Sequence, residues 1–139
     1  MPDRCTYDYA IVRVVPRVER GEFVNVGAIV SSDAAGYLAA RFALDEARLR
    51  ALDPHVDLDA VRTALEAIAA VCAGGASAGA IGRLALRERF HWLVAPRSTI
   101  IQTSAVHTGR CEDLGEALEH LIARMVRPPA PPSCAALTP

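Results

Sequence analysis

The chain has 139 residues, 52% hydrophobic and 22% charged, with a formal net charge of −1. That suits one soluble globular domain, and it gives neither the basic footprint of a nucleic-acid binder nor an apolar run long enough to span a membrane. All 15 basic residues are Arg, so Schiff-base, pyridoxal-phosphate and P-loop chemistry are excluded for want of a lysine amine.

Tyr7 to Val15 and Phe23 to Val30 are rich in β-branched and aromatic residues and read as strands. Gly21 supplies the turn of a hairpin with a loop of about five residues. A symmetric loop sets Arg13 opposite Gly27 and Val15 opposite Asn25. A glycine inside an apolar strand marks a bulge or a close approach to the backbone. Gly27 is therefore expected to leave room for the Arg13 side chain, with Tyr9, Ile11, Asn25 and Ile29 on the same face. A partly buried Arg13 needs a partner, which Glu19, Glu22 or a bound anion could supply.

The stretch from Gly36 to Leu44 extends the hairpin as a meander. Asp45 caps a short helix ending near Leu52, and Asp57 caps a longer one along an apolar stripe of Leu58, Val61, Leu65, Ile68 and Val71 or Cys72. Residues 73–82 read as a flexible connector, because their glycines do not match the dinucleotide-binding spacing and no strand precedes them. A helix follows from Arg83 to Val94, burying Leu86, Phe90 and Leu93, with Arg83, Arg87 and His91 in a row beside them. Pro96 should end it, since Ala95 is biased away from helical angles.

Ser98 to Ser104 reads as a strand whose two apolar residues, Ile100 and Ile101, point to opposite faces. The stretch from His107 to Cys111 contains Gly109 and reads as a turn. The last helix starts at Asp113, with Glu116 completing a capping box, and carries a stripe of Leu114, Leu118, Leu121, Ile122, Met125 and Val126. The proline-rich segment that follows cannot continue a helix. The expectation is one α+β domain over residues 1–127, an antiparallel β-sheet (an N-terminal hairpin or meander plus a later strand) packed with about four helices. Residues 128–139 are expected to form a disordered tail.

The polar stretch "HWLVAPRSTIIQTSAVHTGRCED", His91 to Asp113, holds two of the four His and the only Trp. Arg97, Ser98, Thr99, Gln102 and His107 are the side-chain types from which anion sites are built. Joined to Arg13, Asn25 and Gly27, they make a candidate ligand-binding set on one face of the sheet, with His107 at its rim. The structural alternative is an Arg97 paired with a carboxylate and hydroxyls facing water.

Cys5, Cys72, Cys111 and Cys134 have no close spacing and read as free thiols. Cys111 with His107 could form a nucleophilic pair or half of a zinc site, but no orienting group and no second ligand pair is apparent. No metal and no cofactor are expected. Lacking a recognisable catalytic set, the chain reads more readily as a binding module than as an enzyme. The N-terminus lacks the basic-then-apolar form of a signal peptide, so the cytoplasm is the expected location.

Arg20-Gly21-Glu22-Phe23-Val24-Asn25-Val26-Gly27, together with Pro96-Arg97-Ser98-Thr99 and Val106-His107-Thr108-Gly109, resembles the domain of unknown function 3037 family of bacterial proteins. The resemblance runs from about residue 5 to residue 127 and brings no established activity. It implies a small cytosolic protein, often encoded beside a HipA-like kinase, and so an accessory or regulatory module binding a protein partner. A small anionic ligand at the Arg, His, Ser and Thr set is the alternative.

Overall fold

Strands β1 (Cys5–Val14), β2 (Val24–Ser32) and β3 (Tyr37–Phe42) form the expected antiparallel meander in a computed structural model that describes residues 4–129. Residues 1–3 and 130–139, with Cys134 and most of the expected tail, lie outside the described residues. Gly21 turns the first hairpin at φ 68°, following a 3-10 turn at Val18–Arg20. Glycine adopts that left-handed conformation without steric cost.

The register corrects the one expected from a symmetric loop. Tyr9 pairs with Val30 and Val12 with Gly27, and then the ladder slips so that Arg13 pairs with Asn25 and Val14 with Val24. Val26 is the unpaired residue of a β-bulge. The extra residue inverts the alternation of side chains along β2. Val24 and Val26 pack in the same cluster as Ile29, whereas Ala28 and Val30 pack on the other face.

The sheet has strand order β3-β2-β1-β4, and its fifth strand also lies against β1. The polar stretch supplies both outer pieces, β4 (Ile101–Thr103) against the end of β1 and β5 (His107–Cys111) against its start. They amount to one interrupted edge strand. Ser104 stitches the interruption: its N–H donates to the Ile11 carbonyl (2.8 Å), and its Oγ accepts the Ile11 N–H (2.9 Å). The expected strand over Ser98 to Ser104 is thus shorter, and the expected turn at "HTGRC" is a strand. Ile100 precedes β4, so both it and Ile101 pack against one cluster instead of opposite faces.

Helices cover both faces. On the first lie α1 (Glu46–Leu52), α2 (Leu58–Ala73) and α4 (Leu86–Val94), which bury Leu49, Val61, Leu65, Phe90 and Leu93 against Val12, Val14, Val26 and Ile29. On the second lies α5 (Leu114–Leu121), which buries Leu118 and Leu121 against Ile11, Ala28 and Val30. Asp45, Asp57 and Asp113 cap their helices as expected, each carboxylate accepting a backbone N–H at 3.0–3.1 Å.

Three helical expectations change. The connector after α2 contains a 3-10 turn (Ala76–Ala78) and a one-turn helix, α3 (Gly79–Gly82). The next helix begins at Leu86, so Arg83 lies outside it and does not share a row with Arg87 and His91. The last helix ends in a π-turn (Ile122–Val126), with the Arg127 N–H donating to Ile122 (3.0 Å). The wider turn breaks the 3.6-residue phase, and Met125 leaves the buried stripe for solvent. Among the described residues, no helix is long and apolar enough to cross a membrane.

Candidate functional site

The polar stretch begins where α4 ends. Ala95 is extended at ψ 137°, as the residue before Pro96 should be. Arg97 turns back on the helix it follows. Its guanidinium donates to the carbonyls of Trp92 and Leu93, the latter at 3.2 Å. It also lies 4.3 Å from the centroid of the Trp92 ring. The last carbonyls of a helix have no intrahelical partner, and a cation there satisfies them while opposing the helix dipole.

The neighbouring polar groups are likewise engaged by their own chain. Thr99 Oγ1 donates to the Ile101 carbonyl (2.8 Å), and Gln102 Nε2 donates to that of Thr99 (3.0 Å). Thr103 Oγ1 reaches Val94 (3.5 Å), and Ser104 Oγ donates to Ala105 (2.9 Å). Ser98 is exposed. Locally, then, the stretch is the means by which a helix hands over to an edge strand. Between the two lies a recess of about 210 Å³, lined by Val94, Pro96, Arg97, Gln102 and Val106 among others.

Arg13 is the cross-strand partner of Gln102 in the β1–β4 ladder, but it does not join Arg97. It continues the face of β1 that carries Tyr9 and Ile11, which pack toward α5, whereas α4 and Arg97 lie on the other side through Phe90 and Leu93. The expected joint site of Arg13 and Arg97 is not formed. The guanidinium of Arg13 lies over the Phe23 ring, 4.0 Å from its centroid. Its cross-strand neighbour Asn25 donates through Nδ2 to the Met125 carbonyl (3.0 Å). Arg13 Nε and Asn25 Oδ1 are buried without hydrogen-bond partners. Gly27 leaves no room for Arg13 either. A Cβ there would clash with the Phe42 ring and lie 2.6 Å from the Arg41 carbonyl, so the glycine admits β3.

His107 is exposed on β5 and stacks on Tyr9, its cross-strand partner, with ring centroids 5.5 Å apart. The strand separates it from Cys111. Four residues of strand span about 13 Å, so the two cannot form a nucleophilic pair or adjacent metal ligands. Among the described residues, no group of three His, Cys, Asp or Glu side chains could hold a metal ion.

Two features escaped sequence reasoning. Asp53 is buried, its carboxylate 3.3 Å from Arg17 Nε and accepting the His55 N–H at 2.9 Å. A cleft of about 260 Å³ runs past it, floored by Val14, Val56 and Ile100. It is the C-cap residue of α1 and precedes Pro54, and that place at a helix end is the signal that could have found it. The second is the alignment of Cys5 with Cys111 across β1 and β5, which depends on a strand that glycine concealed.

The model of a family described as protein of unknown function (DUF3037) matches residues 9–126. The chain belongs to that family. Both Arg–aromatic stacks and all five strands, apart from the first residues of β1, lie within the matched span. No curated protein matches the chain, and no solved structure does.

Proposed function

We propose that this DUF3037 member is a non-enzymatic accessory or regulatory module that binds a protein partner, through the face where α4 meets the edge strand. The observation that carries this reading is the Trp92–Arg97 stack. The chain's single Trp is 41% exposed and is held by the Arg97 guanidinium over its ring, and Arg97 in turn lines the recess with Val106, which is 43% exposed. Trp and Arg dominate interface hot spots, and a ring already held in place loses little entropy on binding. The recess is smaller than the roughly 300–1,000 Å³ typical of small-molecule pockets, which favours a side chain of a partner over a cofactor-sized ligand.

The partner class is the one the family resemblance implies, a HipA-like kinase. Co-expression with that kinase and gel filtration test the reading. The two chains should co-migrate. Trp92→Ala should weaken the complex at least tenfold, and Phe23→Ala, on the opposite face, should leave it intact. Failure to co-migrate at micromolar concentrations, or a Trp92→Ala variant that binds like the parent, overturns it. The alternative anion site, built from Arg13, Asn25, Gly27, Arg97, Ser98, Thr99, Gln102 and His107, has less support. Its arginines face apart and most of its polar groups are engaged by the chain itself.

A further inference from the structure

We infer that Cys5 and Cys111 form an oxidation site, a cross-strand thiol pair that low-molecular-weight disulfides convert to an intramolecular disulfide. The two residues are direct partners in the antiparallel ladder of β1 and β5. Direct partners project from the same face, with Cα atoms about 4.5 or 5.5 Å apart according to their place in the hydrogen-bond pattern. Both separations fall within the roughly 4.4–6.8 Å that a disulfide spans. Both thiols are free and half-buried, and so within reach of a small oxidant. Cys72 is free but buried inside α2, 8% exposed, and lacks that access.

The surroundings fit a device that closes on oxidation. Cys111 lines an open recess of about 500 Å³ with Arg4, Tyr7, Arg110 and His120, wide enough for a peptide disulfide such as oxidised glutathione. Its thiol is pushed up by burial first, then by Cys5 and Asp113, so Cys111 reacts slowly at neutral pH and faster in alkaline solution. The exchange balances. One protein thiolate attacks a sulfur of the glutathione disulfide and expels the first glutathione. The second protein thiolate then attacks the resulting mixed disulfide at the protein sulfur and expels the second. Two protein thiols are oxidised, one glutathione disulfide is reduced to two thiols, and the two thiol protons end on the glutathiones. The new bond ties the start of β1 to the end of the edge strand, two residues before the Asp113 cap of α5.

The test uses the full chain with excess oxidised glutathione at mildly alkaline pH, followed by thiol blocking, trypsin and mass spectrometry without reductant. Trypsin cuts after Arg, which places Cys5 in peptide 5–13, Cys111 in 111–124, Cys72 in 63–83 and Cys134 beyond residue 124. The expected product is peptide 5–13 joined to peptide 111–124, lighter than the reduced pair by two hydrogens. Cys111→Ser should instead hold glutathione on Cys5. A stable glutathione adduct on either cysteine of the unsubstituted protein overturns the inference. So does a predominant link from Cys5 or Cys111 to the peptide holding Cys134, or to a second chain.

Discussion

The Arg97 guanidinium lies over the Trp92 ring and donates to the carbonyls of Trp92 and Leu93. One side chain thus closes the end of α4 and fixes the orientation of an exposed indole. Arg97→Ala removes both charge-assisted bonds and the stacking, and should lower stability by about 1–2 kcal/mol. Arg97→Lys keeps the charge but cannot fork to two carbonyls, and should fall between. Denaturant titration followed by fluorescence of the single Trp reads both. An Arg97→Ala variant as stable as the parent would mean that the guanidinium moves freely in solution.

Gly27→Ala should cost more than Gly→Ala at an open strand position, by roughly 1–3 kcal/mol. The new methyl meets the Arg41 carbonyl as well as the Phe42 ring. Phe42→Ala relieves the ring contact alone, so the double variant should not recover the stability of Phe42→Ala. A double variant as stable as Phe42→Ala would show that β3 yields easily, and that Gly27 is not needed for its approach.

Asn25 holds the last turn of the chain's second helical layer, donating to the Met125 carbonyl across the Arg13 pair. Asn25→Asp exchanges that donor for an acceptor facing an acceptor, and should destabilise by about 1–3 kcal/mol. The nearby Arg13 guanidinium would soften the cost through its charge. The Arg13→Gln background should therefore make the same substitution more costly. Equal costs in the two backgrounds would show that Arg13 does not feel residue 25.

The meander, three helix caps and the α+β class are legible because each has a local cause: an alternating apolar run, or an Asp three residues before an N–H that needs a partner. Other features are set by distant partners. The bulge at Val26 is a slip within the β1–β2 ladder, and nothing in Val24-Asn25-Val26-Gly27 fixes where it falls. Gly109 suggests a turn, yet it sits in β5 because the Tyr7 ring covers it, 2.6 Å from where a Cβ would be. The side chains of Arg13 and Arg97 each look like part of a polar cluster. Which face of the sheet each occupies depends on the packing of α4 and α5, which no local pattern encodes.

Cys72 gives the fold an alkaline limit. Its thiol, buried in α2, is pushed from 9.0 up to about 12 by burial, which outweighs the opposing effect of Arg89. A thiol whose pKa is higher folded than unfolded favours the unfolded state once the unfolded chain begins to ionise. The stability tied to the neutral thiol is complete below pH 9.0 and is lost as pH rises toward about 12. The slope cannot exceed about 1.4 kcal/mol per pH unit for one proton. Tyr7 and Tyr37, raised from 10.0 chiefly by burial, add losses of the same sign at higher pH. Cys72→Ala should cost about 1 kcal/mol at neutral pH for the small cavity it leaves. Between about pH 8 and about pH 10 it should lose less stability than the parent, because the titrating group is gone. Urea midpoints of both proteins across that range, under reductant, decide the matter. Parallel curves would show that the Cys72 thiol does not set the alkaline limit.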